Sequence, residues 1–414
     1  MNLSRDLDRW LPPGARELLR RIGSCAGDLG VQTYLVGGPV RDLILGRQSF
    51  DLDVVVQSDA PAVAHAATLP DEPPPVVHPF FGTATLYQGA FRADLATARA
   101  EIYERPGALP IVRWGSIEQD LARRDFTVNA MALTLGGPRH GDLLDLHGGR
   151  SDLEHGLLRV LHDASFVDDA TRILRGVRYE QRFGFAFEKL TLEALQRDLR
   201  YLDCLSPDRV RHEFERTFAE DEPEQALRRL DTLNVSSAIH PGLVFGPEKA
   251  WILEGFRRRA LPPSQLYTVY WCLLAWGLSS MEVETFATRL CLPRRIQDAI
   301  ADAVALQELA PYLDDPGLTP GQVFEVLHGR SVAALIVAER LFVRPFARSS
   351  LSLYLHRLRH VRLSLTGRDL QALGIPEGVL LGRILSCLRT ARLNGEVSSR
   401  EEEAALALRL LNDA

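Results

Sequence analysis

The distribution of apolar residues changes once along this 414-residue chain. Over the first 150 residues, short apolar runs bounded by Gly and Pro are interleaved with helical patterns. From about Ser165 onward, apolar residues recur at helical spacing with little interruption. Strands confined to one end and helices filling the rest predict an α+β chain, a small mixed sheet with helices followed by an all-α remainder. The length exceeds one ordinary core, so two or more domains are expected.

The expected strands span 31–36, 50–56, 84–88 and 91–99, and a loop rich in Pro and Gly covers 104–110. A helix is predicted to start near Ser116 and run to Leu133. Short strands and turns are expected over 141–160. Farther on, Ser206 and Pro207 resemble an N-cap and a first helical residue. The segment 365–395 reads as a short helix followed by a longer one.

Composition narrows the function classes. Hydrophobic residues make up 46% and charged residues 25%, the balance of a globular protein. No apolar run reaches membrane-spanning length, and the amino terminus carries charges where a signal peptide is apolar, so a cytoplasmic protein without a membrane partner is expected. The five cysteines have no CxxC pair and no histidine cluster beside them, which predicts reduced, buried thiols rather than disulfides or zinc ligands. Net charge is −6, which disfavours a nucleic-acid protein on average, but the placement of the positive charges decides. Apart from Lys189 and Lys249, every basic residue is arginine, the side chain suited to forked contacts with phosphates and bases.

Asp51 and Asp53 flank Leu52 just before Val54, Val55 and Val56. On a strand the two carboxylates project from one face while Leu52 enters a core. Like charges so placed repel unless a cation joins them, and oxygen ligands suit Mg²⁺. An exposed strand end is the plain alternative; Asp94, on a later strand, offers a third ligand. Gly37 and Gly38 end the first strand, where backbone N–H groups can approach phosphate, and Arg41 follows one helical turn later. A tight strand-to-helix turn would explain the two glycines equally well.

In SFVDDATRILRGVR, residues 165–178, Arg172, Arg175 and Arg178 recur every three residues opposite Ile173, Leu174 and Val177. Without acids along their own stripe, these arginines favour a bound polyanion such as a triphosphate over a solvated face. Ser165 and Asp168 have the spacing of a capping box, which leaves Asp169 spare and at i, i+3 to Arg172. Cytosine and adenine both present an amino donor beside a ring-nitrogen acceptor. Asp169 and Arg172 can match that edge and reject the reversed pattern of uracil and guanine. An ordinary intrahelical salt bridge is the simpler reading of the same pair.

The ordered motifs LVGGPVRD, DLD, RRDFTVNAMAL and DDATRILRGVRYEQRFGF resemble those of the class II tRNA nucleotidyltransferases, of the polymerase-β-like superfamily. The resemblance covers residues 31–188 most specifically. It implies a polymerase-β-like catalytic head over 1–150, a helical neck over 151–220 that recognises the base and triphosphate, and a body over 221–360 and tail over 361–414 that bind tRNA. By resemblance, Asp51, Asp53 and Asp94 hold catalytic Mg²⁺. Gly37, Gly38, Arg41 and Arg124 then meet the nucleotide, Asp169 and Arg172 read the base, and Arg175 and Arg178 hold the triphosphate. The implied reaction is two-metal, in-line addition of C and A from CTP and ATP to the 3′ end of tRNA, releasing pyrophosphate. The pattern specifies no oligomeric state.

Within the family, A-only addition stays open. CC-only members lack a loop after the third carboxylate, which residues 99–116 supply here. A poly(A) polymerase would carry a basic extension, whereas the tail EVSSREEEAALALRLLNDA is acidic. An inactive RNA-binding protein would have no use for the three carboxylates. His162-Asp163 lacks the companion histidines of a phosphohydrolase and reads as a turn.

Overall fold

Nine strands of the amino-terminal segment are β1 (Thr33–Val36), β2 (Leu52–Val56), β3 (Val76–His78), β4 (Thr83–Gln88), β5 (Phe91–Thr97), β6 (Arg99–Ile102), β7 (Ile111–Trp114), β8 (Met131–Leu135) and β9 (Leu143–Asp145). Among the described residues seven of them form one sheet in the order β3-β4-β5-β2-β1-β8-β9, and β6 pairs with β7 as a separate antiparallel hairpin. Only the β2–β5 pairing is parallel within the larger sheet, so the sheet is mixed as expected. The computed structural model describes residues 1–48, 51–258 and 261–413, which divide into two units, Met1–Ile239 and His240–Ala414.

Alternation along the strands sorts the two faces of the sheet. Leu52, Val54, Leu95, Ala84 and Leu86 are buried on one side, where the helices Pro13–Asp28 and Ala60–Ala67 pack. On the other side Tyr34, Val36, Val55 and Ala132 join Ile117 and Leu121 of a short helix in a second apolar cluster. Asp53 and Asp94 stand on this second face.

Several local expectations are corrected. The ladder of β2 begins at Leu52, so Asp51 precedes the strand, and Phe50, at the start of the expected strand, lies outside the described residues. Residues 99–116 are no bare loop but carry the β6–β7 hairpin. The helix expected from Ser116 to Leu133 is three elements. Ile117–Ala122 is helical, capped reciprocally by Ser116 and Gln119; Thr127–Asn129 is a 3₁₀ turn; Met131–Leu135 is β8. Asp125 explains the break, because its Oδ1 accepts from the Phe126 N–H at 2.9 Å and from Asn129 Nδ2 at 3.0 Å, a local alternative to helix bonding. Residues Gly149–His155 form a short helix where turns and strands were expected.

The second unit is helical among its described residues. One cluster near its end gathers Leu365, Leu370, Ile375, Ile384, Leu388 and Ala407 from the expected short and long helices, Gly367–Ala372 and Val379–Asn394, and from Arg400–Asn412. Fully buried Glu403 is satisfied there by the Ser364 and Leu365 N–H groups and by Arg392. Of the five cysteines only Cys272 is buried; Cys204, Cys291 and Cys387 are exposed because each sits at a helix boundary or on an outer helix face, which corrects the expectation of buried thiols. No helix among the described residues is long and apolar enough to cross a membrane.

Candidate active site

The parallel pairing of β2 with β5 makes Asp53 and Asp94 register partners, so their side chains are neighbours on one face. Thr85, the partner of Asp94 on β4, donates its hydroxyl to Asp94 Oδ1 at 2.7 Å, and Arg92 Nη2 lies 3.2 Å from Oδ2. The Asp53 carboxyl is pushed above its ordinary value. Surrounding protein raises it most, Arg124 opposes the rise, and the charges of Asp94 and Asp51 add to it. A carboxyl pushed up in part by neighbouring carboxylates is relieved by a divalent cation, so the donor set fits Mg²⁺. Among the described residues no three of His, Cys, Asp and Glu are gathered into a ready-made cage. Mg²⁺ suits an open set of this kind, since it commonly takes one or two carboxylates and completes its shell with water and phosphate.

A cavity of about 490 Å³ opens beside Asp53, and eight arginines and four acids line it. Gly38, Arg41, Arg124, Asp169, Arg172, Arg175 and Arg178 all contribute to its wall. Gly37 has φ +72°, which calls for glycine, and precedes the helix Gly38–Ile44; a Cβ there would meet Arg124 Nη1 at 2.5 Å and push that guanidinium aside. Arg41 is buried and fixed by Asp42 (2.9 Å from Nε) and by Asn129 Oδ1 (2.6 Å from Nη1), with its guanidinium 4.4 Å from the Phe183 ring centroid. Arg124 is steadied by Asp120 at 3.0 Å.

The arginine helix is Thr171–Phe183, ended by Gly184 in the left-handed region at φ +69°. Gly176 on its inner side admits the Phe126 ring, which a Cβ would meet at 2.7 Å. Two expectations about this segment fail. Ser165 is no N-cap; it opens a four-residue helix, Ser165–Asp168, and its buried hydroxyl accepts from Arg172 Nη1 at 2.5 Å. Asp169 and Arg172 do not share a continuous helix, because Asp169 is extended, with φ −142° and ψ 97°. Its Oδ1 accepts from the Thr171 N–H and hydroxyl, a turn that starts the next helix, and from Arg209 Nη2 at 2.7 Å. Arg172 Nη2 meanwhile donates to the Arg123 carbonyl.

The arginines also have acids after all, supplied by other elements. Arg175 Nη2 is 2.7 Å from Asp125, and Arg178 reaches Glu213 and Glu220 at 3.3 and 3.2 Å. Spacing along one helix could not reveal partners brought in by the fold.

Residues 33–159 match the model of the poly A polymerase head domain, and 184–245 match one described as a probable RNA and SrmB-binding site of polymerase A. The A-adding tRNA nucleotidyltransferase of Halalkalibacterium halodurans is 33% identical over 96% of this chain and 92% of that protein. The chain belongs to the class II tRNA nucleotidyltransferase family. Other members include the A-adding enzyme of Geobacter sulfurreducens, 33% identical over 99% of this chain but only 48% of that longer protein. The CC-adding enzyme of Deinococcus radiodurans is 33% identical over 95% and 93% of the two chains. Among solved structures, an apo CCA-adding enzyme superposes with TM-score 0.84 at 29% identity, covering 100% and 99% of the two chains. The Thermotoga maritima CCA-adding enzyme complexed with tRNA gives 0.78 at 29% identity, covering 99% of each.

For a nucleotidyltransferase of this family, sequence reasoning passed over several residues at the cavity. Asp125 and Asn129 lie within RRDFTVNAMAL, where only Arg124 was singled out, although a buried acid and amide in that motif were a readable signal. Arg99, Glu101, Tyr103, Arg123 and Arg182 also line the cavity. Arg209, which holds Asp169, comes from the helix Pro207–Phe218, whose start at Ser206-Pro207 is as expected.

Proposed function

We propose that this chain adds C and then A to the 3′ end of tRNA without a nucleic-acid template, using CTP and ATP and releasing pyrophosphate, in the cytoplasm. The observation that carries the reading is the position of Asp53. It lines the arginine-rich cavity and also a second cavity of about 320 Å³ whose wall includes Asp94.

In this reading Asp51, Asp53 and Asp94 hold Mg²⁺. When bound, the metal supplies charge neutralisation at the transferring phosphate and lowers the pKa of the 3′-hydroxyl. Arg41, Arg124, Arg175 and Arg178 hold the triphosphate, with the Gly37-Gly38 turn presenting backbone N–H groups beside it. No protein nucleophile is required, since positioning and electrostatics do the work. Arg172, anchored by Ser165 and the Arg123 carbonyl, keeps further N–H groups to donate to a base. Among the described residues the bonds to Asp169 fall on Oδ1, which leaves Oδ2 to accept from the amino group of cytosine or adenine.

Offering tRNAs that end before CCA, after C and after CC, each with one of the four triphosphates, tests the reading. CMP should enter the first two and AMP the third, with UTP and GTP inert; no incorporation on any end would refute it. A-only addition is the second reading, favoured because several similar relatives are named A-adding. It is recognised by AMP entering the third tRNA alone. The β6–β7 hairpin weighs against CC-only addition.

A further inference from the structure

The sheet face that carries the carboxylates continues past them to the sheet edge. Cross-strand register aligns Val76, Thr85, Asp94 and Asp53 in one row across β3, β4, β5 and β2. Alternation puts Tyr87 and its partner Arg92 in the next row on the same face. This margin is open to solvent: Val76 is 47% and Tyr87 39% exposed. The turn between β3 and β4 adds Phe80 and Phe81, 93% and 66% exposed and packed edge to face at 5.2 Å. Neither core packing nor the nucleotide cavity uses these rings, and exposed aromatics grouped beside an active site mark a contact surface.

The direction of the reaction says what arrives there. In phosphoryl transfer the attacking and leaving oxygens lie on opposite sides of phosphorus. The arginine-rich cavity takes the triphosphate, and therefore the leaving group. Asp53 also lines the second cavity, whose wall includes Asp94 of β5 and Thr83 and Thr85 of β4 and none of Arg172, Arg175 and Arg178. The 3′-hydroxyl thus approaches over the β3–β4–β5 margin.

We propose that this margin is the platform for the unpaired 3′ end of the RNA primer, with Tyr87 and the Phe80–Phe81 pair stacking its bases and Arg92 taking a backbone phosphate. The proposal rests on the reading of the chain as an enzyme that extends tRNA. Stacking fits that task because the terminal base is not the same at every addition, and every base offers a ring face whatever its hydrogen-bonding edge. Arg92 fits as well: 58% of its side chain is exposed, and among the described residues its one ion pair is with Asp94, a carboxylate assigned to the metal. These are positioning residues, not catalytic ones.

The test uses the whole protein and a tRNA ending before CCA whose last base is 2-aminopurine. Wild type should quench the fluorescence on binding. Tyr87→Ala and Phe81→Ala should each relieve the quenching and raise KM for tRNA about tenfold, with KM for CTP unchanged, and Tyr87→Phe should restore wild-type values. Arg92→Ala should lower the salt dependence of tRNA binding by about one in log–log slope. Wild-type quenching and KM for tRNA in both alanine variants would overturn the platform and leave a protein partner as the occupant of the margin. A wild-type protein that extends no tRNA would overturn the underlying reading, and the platform with it.

Discussion

Asp53 and Asp94, side by side through strand register, make a specific demand on any divalent ion. Asp53→Ala should abolish nucleotide addition while shifting the thermal midpoint by no more than a few degrees. Mg²⁺ should raise the midpoint of wild type and not that of the variant, since a ligand stabilises only the state that binds it. Thermal melts with and without the metal check both. Asp169 should govern nucleotide choice: Asp169→Ala is expected to narrow the preference for CTP and ATP over UTP and GTP by about ten- to a hundredfold, read as ratios of kcat/KM. Asp125 is a matter of stability. Burial pushes its carboxyl up, but Arg175, the Asn129 amide and the Phe126 N–H outweigh burial and hold it below the usual range. A depressed carboxyl contributes stability above its unfolded pKa and loses that contribution as pH falls through the folded value. Asp125→Asn should therefore cost about 2–3 kcal/mol at neutral pH, less than a fully buried pair because 31% of the Arg175 side chain is exposed. Its urea-unfolding stability should also fall less steeply than that of wild type between about pH 4 and pH 2.

Among the elements, those set by strong periodicity were legible and those set by distant partners were not. Strands β1, β2, β4 and β5 follow from apolar runs bounded by turns, and the alternation of Asp53 with buried Leu52 and Val54 follows from the pleat. The hairpin was hidden because all four residues of β7 are exposed, so no alternation marks the strand. The break at Asp169 was missed because a three-residue spacing was extended through a residue whose side chain starts a turn. What ties the hairpin to Arg172 is likewise invisible in sequence. Glu101 on β6 accepts from Tyr103 at 2.9 Å and pairs with Arg123 at 3.0 Å, and the Arg123 carbonyl in turn holds Arg172. Glu101→Ala should loosen this chain and raise KM for both CTP and ATP roughly tenfold, about the worth of one charge-assisted bond. Equal KM values in variant and wild type would show that the hairpin does not act on the nucleotide.

At the scale of the molecule, a net charge of −6 coexists with an arginine-rich cavity because acids from separate segments neutralise individual arginines without filling the space between them. Asp125, Glu213 and Glu220 hold Arg175 and Arg178 apart in fixed positions, which preorganises the cavity for a polyanion. Composition alone pointed the wrong way, and the motif order pointed the right way. The most direct measurement incubates the protein with Mg²⁺, all four triphosphates together and a tRNA ending before CCA, then sequences the 3′ ends. If Asp169 and Arg172 read the base as proposed, the ends should gain C, C and A and nothing else. Unextended ends, or ends carrying U or G as readily as C and A, would contradict the assignment of these residues.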